Sequence, residues 1–427
     1  MGSQKGGVKW HASGDQKAVD HERHSVCLAE GGQRGNVRVA YIAPYQGPDL
    51  LATRPMLRNL GLAANVKMEL VSELLNSAGS EVEIVSQGEV VDRHWKFFPG
   101  FGEPNPMCSM VPAFYASALP IKVINVPWSA FRTLRLFQRR HKVSPFDVVL
   151  LYNLKLPQVI CGLYAIRRGL PVVLEYEDDA LVDLAGRSEG GLIEALYVRL
   201  AKKLLNSTAA CVGVSPYLLT QVPASVPKVL LRGVVGKDII KIGTESTIGR
   251  KNWIVFSGTF SVAKGLVPLV KAWDLINLPD WELHIAGHGQ KADLLRELAQ
   301  HNKSIVFHGL LSREENVQLL RAAAIGINPH DLSETPGNVF AFKIIEYLAA
   351  GTHVITTPMG VLEPELEAGI TYMPDNSPET IAATIRQVVT VGEYKRTAAA
   401  AARQMYGPEA VAESLSALLN QAITGTV

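Results

Sequence analysis

The residues best suited to chemistry fall in three short stretches. In Phe342-Lys343-Ile344-Ile345-Glu346, an apolar periodicity predicts a helix from Gly337 or Asn338 to Ala350. Lys343 and Glu346 stand three apart and so share a helix face. Unpaired N–H groups at the start of such a helix, with its partial positive charge, suit a diphosphate. Lys264 follows a strand and a short loop, and Gly265 beside it lets the backbone come close to a ligand. Glu175, Glu177, Asp178 and Asp179 end another strand. Carboxylates placed there bind hydroxyl groups, act as a base, hold a metal, or stand as plain solvated charge. His21, His24 and Cys27 recur every three residues, but with no fourth ligand nearby they read as part of a polar tail.

Positioning these residues takes a scaffold, and hydrophobic patterning supplies one. Residues 1–36, rich in Gly, Ser, Gln, Lys and His, read as a mobile leader. Val37 to Pro44 is a strand, an apolar helical pattern through Met68, Val71 and Leu75 stops at Gly79, and Val82 to Val85 is the next strand. That is a βαβ unit, hence a parallel sheet with a right-handed crossover. The same alternation continues: helix Ser129 to Lys142, strand Pro145 to Leu151, helix Pro157 to Arg168, strand Pro171 to Glu175, helix Leu192 to Leu205, strand Ala209 to Val214. Gly233, Gly236, Gly243 and Gly249 mark residues 233–252 as a linker between a domain at 37–232 and a second α/β series at 253–407. In the second series, Trp253 to Ser257 and Glu282 to Ala286 are strands leading into Gly258 and Gly287. The expected fold is α/β, two Rossmann-like domains facing each other across a cleft, with a ligand at the C-terminal strand ends.

Composition narrows the field. The 427 residues carry 42 basic and 40 acidic side chains, net +2, which argues against a dedicated nucleic-acid binder. An apolar content of 47% excludes global disorder. The four cysteines form no paired spacing, so neither a zinc ribbon nor a disulfide framework is implied. No apolar run suits a signal peptide or membrane span, since Met110 to Trp128 is broken by Pro112, Pro120, Lys122 and Pro127. A cytoplasmic protein is expected. Arg132, Arg135, Arg139, Arg140 and Lys142 interleave with Phe131, Leu134 and Phe137. Such a helix either packs its apolar side on a sheet and solvates its arginines, or makes peripheral contact with anionic lipid at the inner face of a membrane.

The block Phe342 to Gly351, followed by His353-Val354-Ile355-Thr356-Thr357, resembles the donor-site block of retaining GT-B glycosyltransferases. The likeness is to the large bacterial group that builds polysaccharides and glycolipids, glycosyltransferase family four-like. Ser257 to Gly265 and Leu283 to Gly289 resemble that family's two donor-domain loops, and the first strand, loop and helix resemble its acceptor-domain opening. In all, residues 37 to 420 share in it.

The resemblance implies a nucleotide sugar as substrate, a glycan or glycolipid acceptor, and no cofactor. It implies that Glu346 accepts hydrogen bonds from ribose hydroxyls and that Lys264 neutralises the diphosphate as the sugar–phosphate bond breaks. Donor contacts are expected at Gly47, Gly258, Thr259, Gly287, Gly337, Asn338 and Val339, acceptor contacts at Glu177 and Asp178. Asn153 stands where several relatives have a histidine near the sugar. The last helix, within 408–427, is expected to cross back to the first domain. Two positions depart from the pattern. Thr259 replaces an arginine five residues before Lys264, and Asn338 replaces a glutamate eight residues before Glu346. Lys343 is the candidate to replace the missing cation, and Glu334 the candidate to supply the carboxylate. The catalytic set is therefore Lys264, Lys343, Asn153 and Glu334. Alternatives are a GT-B nucleotide-sugar epimerase, or a catalytically silent sugar-nucleotide-binding partner in a synthase complex.

Overall fold

Short runs of Val, Ile and Leu, buried on both faces, build two parallel sheets in the computed structural model. It describes residues 36–54, 62–87, 96–104, 111–119, 121–178, 191–245, 249–333, 340–360, 362–392, 394 and 398–425. Residues 1–35 of the leader, Asp179, Glu334, Gly337, Asn338 and Val339 lie outside them.

The first sheet contains β1 (Arg38–Ala43), β2 (Glu81–Ser86), β3 (Phe101–Glu103), β4 (Ala113–Tyr115), β5 (Val148–Tyr152), β6 (Val172–Tyr176), β7 (Ala210–Gly213) and β8 (Lys228–Leu230). Among the described residues its order is β3-β4-β2-β1-β5-β6-β7-β8, parallel except where β3 meets β4. The second contains β9 (Lys251–Ser257), β10 (Glu282–Ala286), β11 (Ile305–Gly309), β12 (Ala323–Asn328), β13 (His353–Thr356) and β14 (Ile370–Tyr372). Its order is β11-β10-β9-β12-β13-β14, parallel throughout. Strands β3, β4, β8 and β14 span three residues each, too few for periodicity to reveal.

Three expectations need correction. The helix predicted over Ser129 to Lys142 runs from Lys122 to Val143, with Pro127 inside it. A proline there forfeits one intrahelical hydrogen bond, and the helix continues through it. The stretch 233–252 is not all loop: it holds the helix Lys237–Glu245, whose Ile239 and Ile242 are buried in the main core, and β9 already begins at Lys251. The helix predicted from Gly337 or Asn338 begins only at Lys343, with Phe342 as its cap. The preceding aromatics serve the connection between sheets instead. The ring of Phe342 packs directly on Gly233, and the Arg232 guanidinium lies 4.7 Å from the centroid of Phe340.

The chain returns to its first half at the end. The helix Pro408–Thr424 packs on the helix Leu62–Ser77 and against β5, β6, β7 and β8, burying Val411, Leu415, Leu418 and Leu419. Just before it, Tyr406 accepts the Val235 N–H at 2.8 Å through its carbonyl and donates its hydroxyl to Glu363 at 3.1 Å. Among the described residues no helix is long and apolar enough to cross a membrane. Because Leu415 is 4% exposed, Leu415→Ala should lower stability by about 2–5 kcal/mol, checked by urea unfolding.

Candidate functional site

The ends of β9, β10 and β12 carry one group of residues. Beyond β9 the Gly258 N–H donates to the Ala286 carbonyl at 3.0 Å, and the Phe260 N–H to the His288 carbonyl at 2.8 Å. The loops after β9 and β10 are thus tied together. Gly287, at φ 128°, touches the Gly258 carbonyl so closely that a Cβ would overlap it. Gly265, at φ 65°, closes the short turn that carries Lys264, and its Cα face lies on the Pro329 carbonyl. The Asp331 N–H donates to Ala263 at 2.9 Å, so the loop after β12 braces that turn.

Lys264 is mostly buried, and its ammonium lies 2.8 Å from His330 Nε2. Burial pulls its pKa down, and Asp178, from the first sheet, works the other way. Lys343 opens its helix rather than lying inside it. That helix is fixed to β9 where the Ser257 N–H donates to Tyr347 Oη at 2.8 Å. The Lys343 Nζ is sealed from solvent, has no hydrogen-bond partner among the described residues, and stands 3.7 Å from the centroid of the Phe256 ring. A Cβ on Gly258 would lie 2.7 Å from it. Burial, then Lys264, push this amine well below the usual lysine range, while Glu346 opposes them. Glu346 is pushed up to about 7, chiefly by burial; Arg313 and Lys343 lower it and Asp238 raises it. Arg313 itself grips Asp238 with two hydrogen bonds, at 2.6 and 2.9 Å. Thr259 is exposed in its loop.

A second group, of opposite sign, gathers at the ends of β5 and β6. Asn153 has φ 63°, a left-handed conformation that asparagine tolerates. Its Oδ1 accepts the N–H groups of Glu177 at 2.7 Å and Asp178 at 3.0 Å, and its Nδ2 donates to Asp178 Oδ2 at 3.1 Å. Its polar atoms are thus spent on holding the acidic turn. Lys67, from the helix Leu62–Ser77, pairs with Glu177 and lies 3.5 Å from Glu175, which also accepts from the Tyr41 hydroxyl. Glu177 is pushed up to about 7, by burial first, with Lys67 opposing and Glu175 adding. Gly47 is elsewhere occupied: its N–H donates to Tyr115 Oη at 3.2 Å, and Tyr115 donates to Glu103 at 2.7 Å.

The structure therefore brings together Lys264, Lys343, Glu346, Gly258 and Gly287 on one side, and Asn153, Glu177 and Asp178 on the other. Sequence reasoning missed Lys67, His330 and Arg313. His330 alone left a trace, a polar Pro-His step at the end of a buried strand.

Residues 251–390 match the family described as Glycosyl transferases group 1. Sucrose-phosphate synthase from Thermosynechococcus elongatus is similar in structure, with a TM-score of 0.67 at 17% identity over 91% of this chain and 100% of that one. HepE from Anabaena, in complex with UDP-glucose, gives 0.60 at 13% identity over 90% and 100%. A putative UDP-N-acetylglucosamine 2-epimerase from Listeria monocytogenes gives 0.58 at 14% over 92% and 98%. No curated protein sequence matches the chain.

The chain has the GT-B fold. Within it, the segment matched by the family holds the whole Lys264–His330–Lys343–Glu346 group, while Asn153, Glu177 and Asp178 precede it. The pairing of Lys67 with two buried carboxylates gives a direct test. Lys67→Met leaves them without a cation, and should cost about 3–5 kcal/mol at pH 8. The mutation raises the folded pKa of Glu177 further above its unfolded value, so the added instability should shrink as pH falls toward 5.5. Urea unfolding at the two pH values checks both points.

Proposed function

We propose that the chain is a retaining glycosyltransferase that moves a sugar from a nucleoside-diphosphate sugar to a hydroxyl of a glycan or lipid-linked glycan, without a cofactor. The observation that carries this reading is the sealed amine of Lys343, without a hydrogen-bond partner among the described residues, beside Lys264 and over Gly258. A buried amine held without a partner is costly unless a ligand supplies one. A diphosphate supplies two anionic groups. HepE binds UDP-glucose in the same fold, which supports the donor class.

In this reading the diphosphate lies between Lys264 and Lys343, and Glu346 accepts from the ribose diol. The acceptor hydroxyl approaches from the side of Glu177 and Asp178. Displacement occurs at the front face. The sugar–phosphate bond breaks, the departing diphosphate takes the proton of the incoming hydroxyl, and the new glycosidic bond forms on the face just vacated. Negative charge grows on the diphosphate in that step, where two fixed cations stabilise it most. Lys343 thereby takes the place of the arginine that Thr259 lacks. A transferase consumes donor in proportion to acceptor glycosylated, whereas an epimerase would convert donor sugar with no acceptor present; product analysis separates the two.

Because the Lys343 amine is held low in the free site and a bound dianion raises it, nucleoside-diphosphate binding at pH 8 should take up protons. Calorimetry in two buffers of different ionisation enthalpy measures this, and Lys343→Met should abolish it. The same variant should lower kcat more than it raises donor KM, and Thr259→Arg in that background should restore part of the rate.

Donor affinity should also rise as pH climbs through about 7, where Glu346 ionises. In Glu346→Gln that dependence should vanish and affinity fall by about 1–3 kcal/mol. Unchanged titration curves would remove Glu346 from the donor site.

A further inference from the structure

His330 is 1% exposed and bridges two groups. Its Nε2 lies 2.8 Å from Lys264 Nζ, and its Nδ1 lies 2.8 Å from Asn328 Oδ1. An ammonium offers only hydrogens, so Nε2 presents its lone pair to Lys264, and Nδ1 carries the ring proton. The amide of Asn328 agrees, since its Nδ2 donates to Thr356 Oγ1 at 3.0 Å and lies 3.2 Å from Met359 Sδ, leaving Oδ1 for the ring. The backbone is held too: Thr357 Oγ1 donates to the His330 carbonyl at 2.9 Å. Burial first, then Lys264 and Lys343, push the imidazole down to about 2, so it stays neutral.

We propose that His330 is a positioning residue of the diphosphate site, whose neutral Nε2 takes one hydrogen of Lys264 and aims the other two at the phosphate oxygens. The inference rests on the diphosphate reading above. A carboxylate in this position would cancel the charge of Lys264 and compete with phosphate. An apolar side chain would leave the ammonium free to rotate away. A neutral imidazole, its tautomer fixed by Asn328, orients the cation and leaves its charge intact.

The test begins with the parent protein and UDP, GDP, ADP and dTDP, measured by thermal shift and titration. The tightest diphosphate and its monophosphate then serve as probes. His330→Phe should weaken the diphosphate about tenfold, one hydrogen bond's worth, and the monophosphate less than about twofold. His330→Gln, whose carbonyl can still accept from Lys264, should keep affinity within about threefold of the parent. In a Lys264→Met background, His330→Phe should have no further effect.

If none of the four diphosphates stabilises the parent, the diphosphate reading itself fails, and the inference with it. If Lys264→Met loses affinity while His330→Phe does not, or if the two losses add, only the role of His330 is overturned. Should His330→Phe fail to fold, nitrogen-15 spectra of the parent's histidines decide. A protonated Nδ1 and bare Nε2, with the Nε2 signal moved by Lys264→Met, support the inference; a protonated Nε2 refutes it.

Discussion

Two lysines and a histidine share a nearly dry space where, among the described residues, no carboxylate is bonded to any of them. Every charge brought into such a place costs solvation, and a second like charge adds repulsion. The site lowers that cost in two ways. His330 gives Lys264 a lone pair without bringing charge, and the Phe256 ring gives Lys343 a negative π face. Neither replaces an anion. The surrounding backbone must therefore hold the cations by force of packing. Gly258 locked on Gly287, Gly265 on Pro329, and Tyr347 on Ser257 are the contacts that do it.

The first sheet shows the complementary imbalance. At the ends of β5 and β6, Glu175 and Glu177 crowd around Lys67 and Asp178 acts on Glu177, so carboxylates outnumber the cation. Asp178 in turn acts on Lys264 across the two sheets. Under the proposed function, this imbalance draws an anionic donor to the second sheet and repels it from the first. A neutral hydroxyl finds hydrogen-bond acceptors on the first. In that reading, this separation of charge between the two sets of strand ends sorts donor from acceptor.

How much of this a sequence shows depends on how far apart the partners lie. Val148 to Leu151 announces a buried strand, because its own four residues carry the signal. Lys343 and Glu346 were legible for the same reason, lying within one turn. The start of their helix was not, since Phe340 and Phe342 are claimed by Arg232 and Gly233, more than a hundred residues earlier. Lys67 pairs with a residue 110 positions away and Lys264 with one 66 away, and no local pattern encodes either. Nothing near Gly47 in sequence shows that Tyr115, 68 positions on, holds its N–H.

Asn153 illustrates how a turn can take over a position that chemistry might otherwise use. At this position the family resemblance implies a histidine near the sugar, and the chain has asparagine. A left-handed backbone disfavours a large side chain, and the turn into Glu177 and Asp178 offers two N–H groups converging on one point. The short amide of asparagine meets both with a single oxygen and still has a nitrogen for Asp178. A neutral imidazole has only one acceptor atom with one lone pair, so it could satisfy one of those N–H groups and would leave the other without this partner. The orientation of Asp178 therefore rests on asparagine's geometry, and under the proposed function the amide takes no proton, since the departing diphosphate receives it.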